Sequence, residues 1–383
     1  MISSLRRRCF SVLRSAHPPI RKSVPVTCGS GGSVEVDLYN VDELSPPKAL
    51  ILHLPAQPDS VNGVRQLPEF LYDWPVASIN YRWATERSHA ASQDGEHLDD
   101  PVDWPVPIHD VAFAYQWIVD ALKPPGIGRG GIYVYGSHLG AGLAMSLALT
   151  ESYPHKRFAV RGVAAYNGVY NWTRFLPGHK EVRGSKSVRV GRRANGNLRL
   201  EVLYDRLVAL FQEPHNLFDP FASPSLFFHN PGLAIPESFY GSPAFARLVS
   251  AMKGQYDVSG EGETVDASRR AHLVFPPRAS TLKLPETLLL HDAPARSKGI
   301  DTRHTFMGQA AELASFMRRS IEMVELKERK VWDYEWEENK VTPELERRVR
   351  VVEVGQEGEE LGLNDAGQQA VLDWLRSLNI PMK

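Results

Sequence analysis

The stretch Ile132-Tyr-Val-Tyr-Gly-Ser-His-Leu-Gly-Ala-Gly-Leu-Ala144 constrains the fold more than any other part of the chain. It reads as a buried strand, a tight glycine turn and the first turns of a helix made of small residues. Gly136 and Gly140 stand two places before and two places after a central residue, His138. A sharp strand-to-helix turn packs its flanks too tightly for a Cβ, so glycines at those places present the central side chain at the apex. The neighbouring frame, centred on Ser137, would put Tyr135 and Leu139 in the cramped positions. That register is sterically poor. The apex belongs to His138.

A turn of this kind needs a large sheet around it, and the chain is long enough to build one. Its 383 residues with 43% hydrophobic content point to one large α/β domain carrying a sizeable insertion. The net charge of -1 exerts no global pull toward nucleic acid or a membrane surface. No apolar run reaches the roughly 18 residues of a membrane span. The only cysteines, Cys9 and Cys28, lie near the N-terminus, where one pair could at most staple the tail.

That N-terminus differs from the rest. Residues 1–34 hold Arg6, Arg7, Arg8, Arg14, Arg21 and Lys22 with several serines and no acid before Glu35. Basic, serine-containing, acid-free composition is that of a mitochondrial transit peptide, and Arg8-Cys-Phe-Ser11 is similar to an arginine-minus-three processing site. Residues 1–22 are therefore expected to be a presequence and the location the mitochondrial matrix, with a disordered basic tail and a cytoplasmic location as the alternative.

Beyond residue 30, strand-like and helix-like segments alternate. Val34–Tyr39 has the period of an edge strand, and 49–54, 76–81 and 160–165 are short apolar runs. Residues 106–122 have helical spacing, with Val111, Ala114, Tyr115 and Ile118 on one face. Glu286–His291 reads as a strand, 306–319 as an amphipathic helix, 321–328 and 348–354 as two rival closing strands, and 365–378 as a last helix. The alternation predicts an α/β fold: a mostly parallel twisted sheet with helices on both faces, spanning 23–383. The stretch 170–280, rich in Phe and Pro, breaks the rhythm and reads as a lid inserted over the sheet's carboxyl edge.

Gly136-Ser-His-Leu-Gly140 resembles the G-x-S-x-G nucleophile elbow of the α/β-hydrolases, with histidine where the serine belongs. Two further segments narrow the resemblance to the hormone-sensitive-lipase-like, fold-3 carboxylesterase branch. Asn80-Tyr-Arg-Trp-Ala84 followed by Trp104-Pro-Val-Pro-Ile-His-Asp-Val-Ala112 is similar to that branch's Tyr-Arg-Leu-Ala-Pro-Glu and Phe-Pro-Ala-Ala-x-x-Asp blocks, here separated by a charged insertion, 87–103. Leu284-Pro-Glu-Thr-Leu-Leu-Leu-His291 is similar to the strand that delivers the triad acid. The match is good over about 45–170 and loose over 284–378.

The resemblance implies acyl-ester chemistry, which requires a nucleophile, a base, an acid and oxyanion donors. The nucleophile position holds His138. The base should follow the last strand, yet the last histidine is His304 and none occurs from Thr305 to Lys383. Asp292 or Asp301 could be the acid; with no base to orient, both read as loop carboxylates. The family's His-Gly-Gly-Gly oxyanion loop is replaced by His53-Leu54-Pro55-Ala56, where proline has no N–H to donate.

Other chemistry is weaker. His291, Asp292 and His304 match no familiar metal spacing, so neither a metal nor a cofactor is expected. The glycine-rich stretch 124–131 precedes a strand instead of opening a helix and is a loop, not a phosphate cradle. Lys180–Arg199 carries seven basic residues and one acid; Lys180, Arg183, Lys186, Arg189, Arg192 and Arg193 form either a solvated loop or a contact for RNA or an acidic protein. The leading expectation is a pseudo-hydrolase serving as a binding or scaffold subunit with a protein partner. An ester hydrolase using His138 with Asp292 or His304, and an RNA-associated subunit using the basic loop, are the alternatives. A small acyl or apolar ligand would sit above His138, lined by Phe221, Phe227, Phe228 and Phe239; a filled pocket is expected instead.

Overall fold

The computed structural model describes residues 18–44, 49–58, 67–83, 103–124, 129–175, 203, 206–230, 234–236, 264–266, 274–293, 305–327, 329, 341–356, 361–378 and 380. Its centre is an eight-stranded sheet in the order β1-β2-β4-β3-β5-β6-β9-β10. The strands are β1 Lys22–Thr27, β2 Ser33–Tyr39, β3 Leu50–Leu54, β4 Val76–Asn80, β5 Gly130–Ser137, β6 Phe158–Tyr166, β9 Glu286–His291 and β10 Val349–Glu353; β7 Ala234–Pro236 and β8 Thr264–Asp266 form a separate antiparallel ribbon. β2 runs antiparallel to both neighbours, and β3 to β6, β9 and β10 run parallel. Strands buried on both faces must be apolar throughout, which is why Leu50-Ile-Leu-His-Leu54 reads as a run and not as an alternation.

The helices are α1 Val106–Ala121, α2 His138–Glu151, α3 Leu207–Phe211, α4 Phe306–Ser320, α5 Val341–Arg348 and α6 Asp365–Ser377. One sheet face packs Leu50, Leu52, Ile132 and Val134 against α1, α2 and α4. The other packs Ile51, Tyr135 and Leu288 against Val371, Trp374 and Leu375 of α6. α2 is buried on every side in its first three turns, where small and apolar residues leave His138 and Ser146 as the polar side chains.

Two expectations are corrected. Val34–Tyr39 is not the edge: β1 pairs outside it, because Lys22-Ser-Val-Pro-Val-Thr27 is itself extended. The described part of the segment 321–328, residues 321–327, is helical and not a strand. Ile321–Leu326 continues α4 as a π-helical turn, since no glycine or proline stops the helix and Ile321, Val324 and Leu326 reach the core from it. β10, within the rival segment 348–354, closes the sheet beside β9.

The paired sequence blocks have a physical link. Arg82 donates through its backbone N and Nε to Asp110 Oδ2, both at 2.9 Å, and through Nη2 to Oδ1 at 2.6 Å. Asp110 is fully buried, so this fork ties the end of β4 to α1. Described parts of the inserted stretch sink into the same core through Trp172, Leu210, Phe211 and Phe228. Trp83 Nε1 donates to Leu210 O at 2.6 Å, and Arg174 pairs with Glu312 of α4 at 2.8 Å. No helix among the described residues is long and apolar enough to cross a membrane.

Candidate functional site at the elbow

β5 ends at Ser137 and α2 begins at His138, whose φ of 48° lies in the left-handed region. A histidine in that region is uncommon, and the turn enforces it. A Cβ on Gly136 would stand 2.5 Å from Gly140 O, and one on Gly140 would fall on Pro55 O and 2.5 Å from Leu54 O. The two glycines are thus required by the close approach of backbone to backbone.

His138 is 1% exposed. Its ring meets Tyr166 edge-on at 5.7 Å and Phe306 edge-on at 5.8 Å. Tyr166 closes β6, and its hydroxyl donates to Asp292 Oδ1 at 2.6 Å. Asp292 follows β9, the place from which the resemblance expects the acid, and its N–H donates to Asn167 Oδ1 at 3.0 Å. Asn167 itself is left-handed, at φ 48°. The apex residue, the tyrosine and the acid thus meet at the carboxyl ends of β5, β6 and β9, where sites in such sheets form.

The loop after β3 completes the surroundings. Leu139 N–H donates to Ala56 O at 3.3 Å, and Pro55 O accepts from Tyr81 Oη at 2.8 Å. Among the described residues, the carbonyl oxygens of Leu54, Pro55 and Ala56 lie against the elbow. His53 does not take part. It alternates with Leu52 and Leu54 and shares the face of Ile51 and Tyr135, opposite α2. There its Nδ1 lies 2.9 Å from Ser78 Oγ and its ring stacks on Tyr135 at 5.9 Å. Burial lowers its pKa from 6.5 to about 3, keeping the ring neutral.

The strand order and the elbow are those of the α/β-hydrolase fold. No protein-family model matches the chain, and no curated protein sequence does. Solved structures similar to it include an esterase of Pyrobaculum calidifontis, at 14% identity and a TM-score of 0.48 over 95% of this chain and 87% of that one. Another is a thermostable carboxylesterase cloned from a metagenomic library, at 16% and 0.48 over 97% and 92%. A third is carboxyl esterase 2 of Tuber melanosporum, at 12% and 0.48 over 96% and 88%.

Asp301, His304, Phe239 and the basic loop with Lys180, Arg183, Lys186, Arg189, Arg192 and Arg193 lie outside the described residues. His291 Nδ1 lies 2.9 Å from Asp292 O, and no three His, Cys, Asp or Glu side chains gather into a metal-binding group among the described residues. Phe221 meets Phe227, and Phe227 and Phe228 meet Phe275; among the described phenylalanines, Phe306 meets the His138 ring. Tyr166, Asn167 and Phe306 were not given site roles from sequence. Only Asn167-Gly168, a left-handed-tolerant pair closing a strand, carried a signal.

Proposed function

We propose that this chain is a catalytically degenerate carboxylesterase-like α/β-hydrolase that works as a binding or scaffold subunit for a protein partner. The observation that carries the reading is the hydrogen bond from Leu139 N–H to Ala56 O. In an active enzyme of this fold, the N–H of the residue after the nucleophile is one of the two oxyanion donors. Here that donor is used by the protein's own carbonyl. Pro55 supplies no second donor from the β3 loop, and no histidine follows Thr305 to serve as base. A buried imidazole at the apex, edge-on to two aromatic rings, fits a filled pocket better than an acyl-binding one.

The test is hydrolysis of p-nitrophenyl acetate and butyrate by the purified chain. The rate should equal the buffer rate, and His138→Ser should not raise it. Turnover by the natural sequence that His138→Ala abolishes would establish an active esterase and end this reading. The proposed location is the mitochondrial matrix, supported by the acid-free arginine-rich start. A reporter carrying residues 1–40 should be imported, and Arg6, Arg7 and Arg8 changed to Glu should stop it. A reporter retained in the cytosol with an intact Met1 would refute the assignment.

A further inference from the structure

At the other end of β5 and β6 from the elbow, the sheet carries a different chemistry. α2 leaves through the turn 152–157 into β6, and several hydrogen bonds fix that turn. Arg161 Nη1 donates to Tyr153 O at 2.7 Å and Nη2 to Lys156 O at 2.5 Å. Lys283 N–H donates to Ser152 O at 3.1 Å, and Gly130 N–H to Arg157 O at 3.0 Å. These bonds draw Arg129, His155, Lys156, Arg157, Arg161 and Lys283 onto one corner of the molecule. A carboxylate beside them is Glu151, 3.8 Å from Lys156 Nζ. The two side chains are 29% and 47% exposed, so the pair is weak and leaves the lysine able to engage another anion.

An aromatic side chain sits within the cations. The half-buried Tyr153 ring has Lys156 Nζ 4.2 Å from its centroid and the exposed His155 ring edge-on at 5.5 Å. The turn is rigid because the Arg161 guanidinium is committed to two of its carbonyls, which lowers the ordering cost of binding there. In a chain of net charge -1, this corner is a local concentration of positive charge.

We infer that this corner binds single-stranded RNA, with Arg129, Lys156 and Lys283 on phosphates and Tyr153 with His155 against a base. Cations alone would suit any acidic partner. Cations interleaved with two rings suit a chain that carries a phosphate and a flat base at every unit. The surface lies at the opposite end of β5 and β6 from the elbow, so it stands whether or not the chain hydrolyses esters.

The experiment is fluorescence anisotropy of the full-length protein with a labelled oligouridylate of about 20 nucleotides, long enough for a site of ~4–16 nucleotides. Affinity should fall with salt at about 0.7 logarithmic units per phosphate contacted. Arg129→Glu with Lys156→Glu should cost at least tenfold and reduce the slope by about 1.4. Tyr153→Leu should weaken binding with the slope unchanged, and His155→Ala replaces it if its melting temperature falls below the parent's. Absence of RNA binding, or binding indifferent to the double charge reversal, would overturn the inference. So would binding lost only when Lys180, Arg183, Lys186, Arg189, Arg192 and Arg193 are neutralised. Polyglutamate bound as tightly as the oligouridylate would assign the corner to an acidic protein instead.

Discussion

The elbow and the loop after β3 lie against each other, yet their backbones answer to different constraints. The elbow retains the backbone requirements of a nucleophile turn: Gly136, Gly140 and a left-handed apex at φ 48°. The first residues of the loop, Pro55 to Pro58, contain no glycine, and the Pro55 and Ala56 carbonyls lie at the elbow, where an esterase of this fold presents N–H groups. The difference is one of enforcement. Glycine at 136 and 140 is dictated by contact between backbone atoms, and a side chain there is penalised whatever the protein does. A loop N–H aimed at the elbow meets no such backbone contact, so packing does not dictate the residue that carries it.

Gly140→Ala should strike that comparison hardest. Its Cβ would meet the Leu54 and Pro55 carbonyls, which cannot swing aside as a flexible side chain can. A stability loss of about 3 kcal/mol is expected from urea unfolding. A variant as stable as the parent would show that the loop is not seated on the elbow.

His138→Ala should cost about 2 kcal/mol, because it keeps the left-handed φ while losing two edge-on ring contacts. A neutral or stabilising result would mean that the ring only occupies space.

His53 sharpens the contrast by pH. Its folded pKa of about 3 lies below the ordinary 6.5, so between those values the unfolded chain holds a proton that the folded one does not. The stability tied to the neutral ring is complete above pH 6.5 and declines as pH falls toward 3, by at most about 1.4 kcal/mol per pH unit. His53→Gln should flatten that slope between pH 6 and 4. Parallel curves would place His53 in contact with solvent.

Tyr166→Phe should cost about 1.5 kcal/mol through loss of the hydroxyl on Asp292. Asp292→Asn should lose less, as an amide oxygen can still accept; the reverse order would mean that Asp292 is held chiefly by other contacts. The smallest effect expected is none: His138→Ser should leave ester hydrolysis at the buffer rate.

Much of this was legible in the chain. The elbow, the apolar strands β3, β4, β6 and β9, and the helices α1, α4 and α6 follow from local packing patterns. The strand expected at 321–328 failed because a short apolar run has no period of its own, and the helix before it simply continued. β1 was missed because its residues lie in the basic stretch whose composition suggested a leader. The Arg82 and Asp110 blocks were visible as a pattern but not as one buried ion pair.

The chain alone determined which residue stands at the apex and which N–H is absent from the loop. Both follow from covalent structure: a missing Cβ at Gly136 and Gly140, and a ring in place of a hydrogen at Pro55. Only the tertiary structure decided that Leu139 N–H would meet Ala56 O and that Asp292 would take the hydroxyl of Tyr166, 126 positions away. Those partners belong to different strand ends, and they come within hydrogen-bonding distance only when the sheet has set the order and register of β3, β5, β6 and β9.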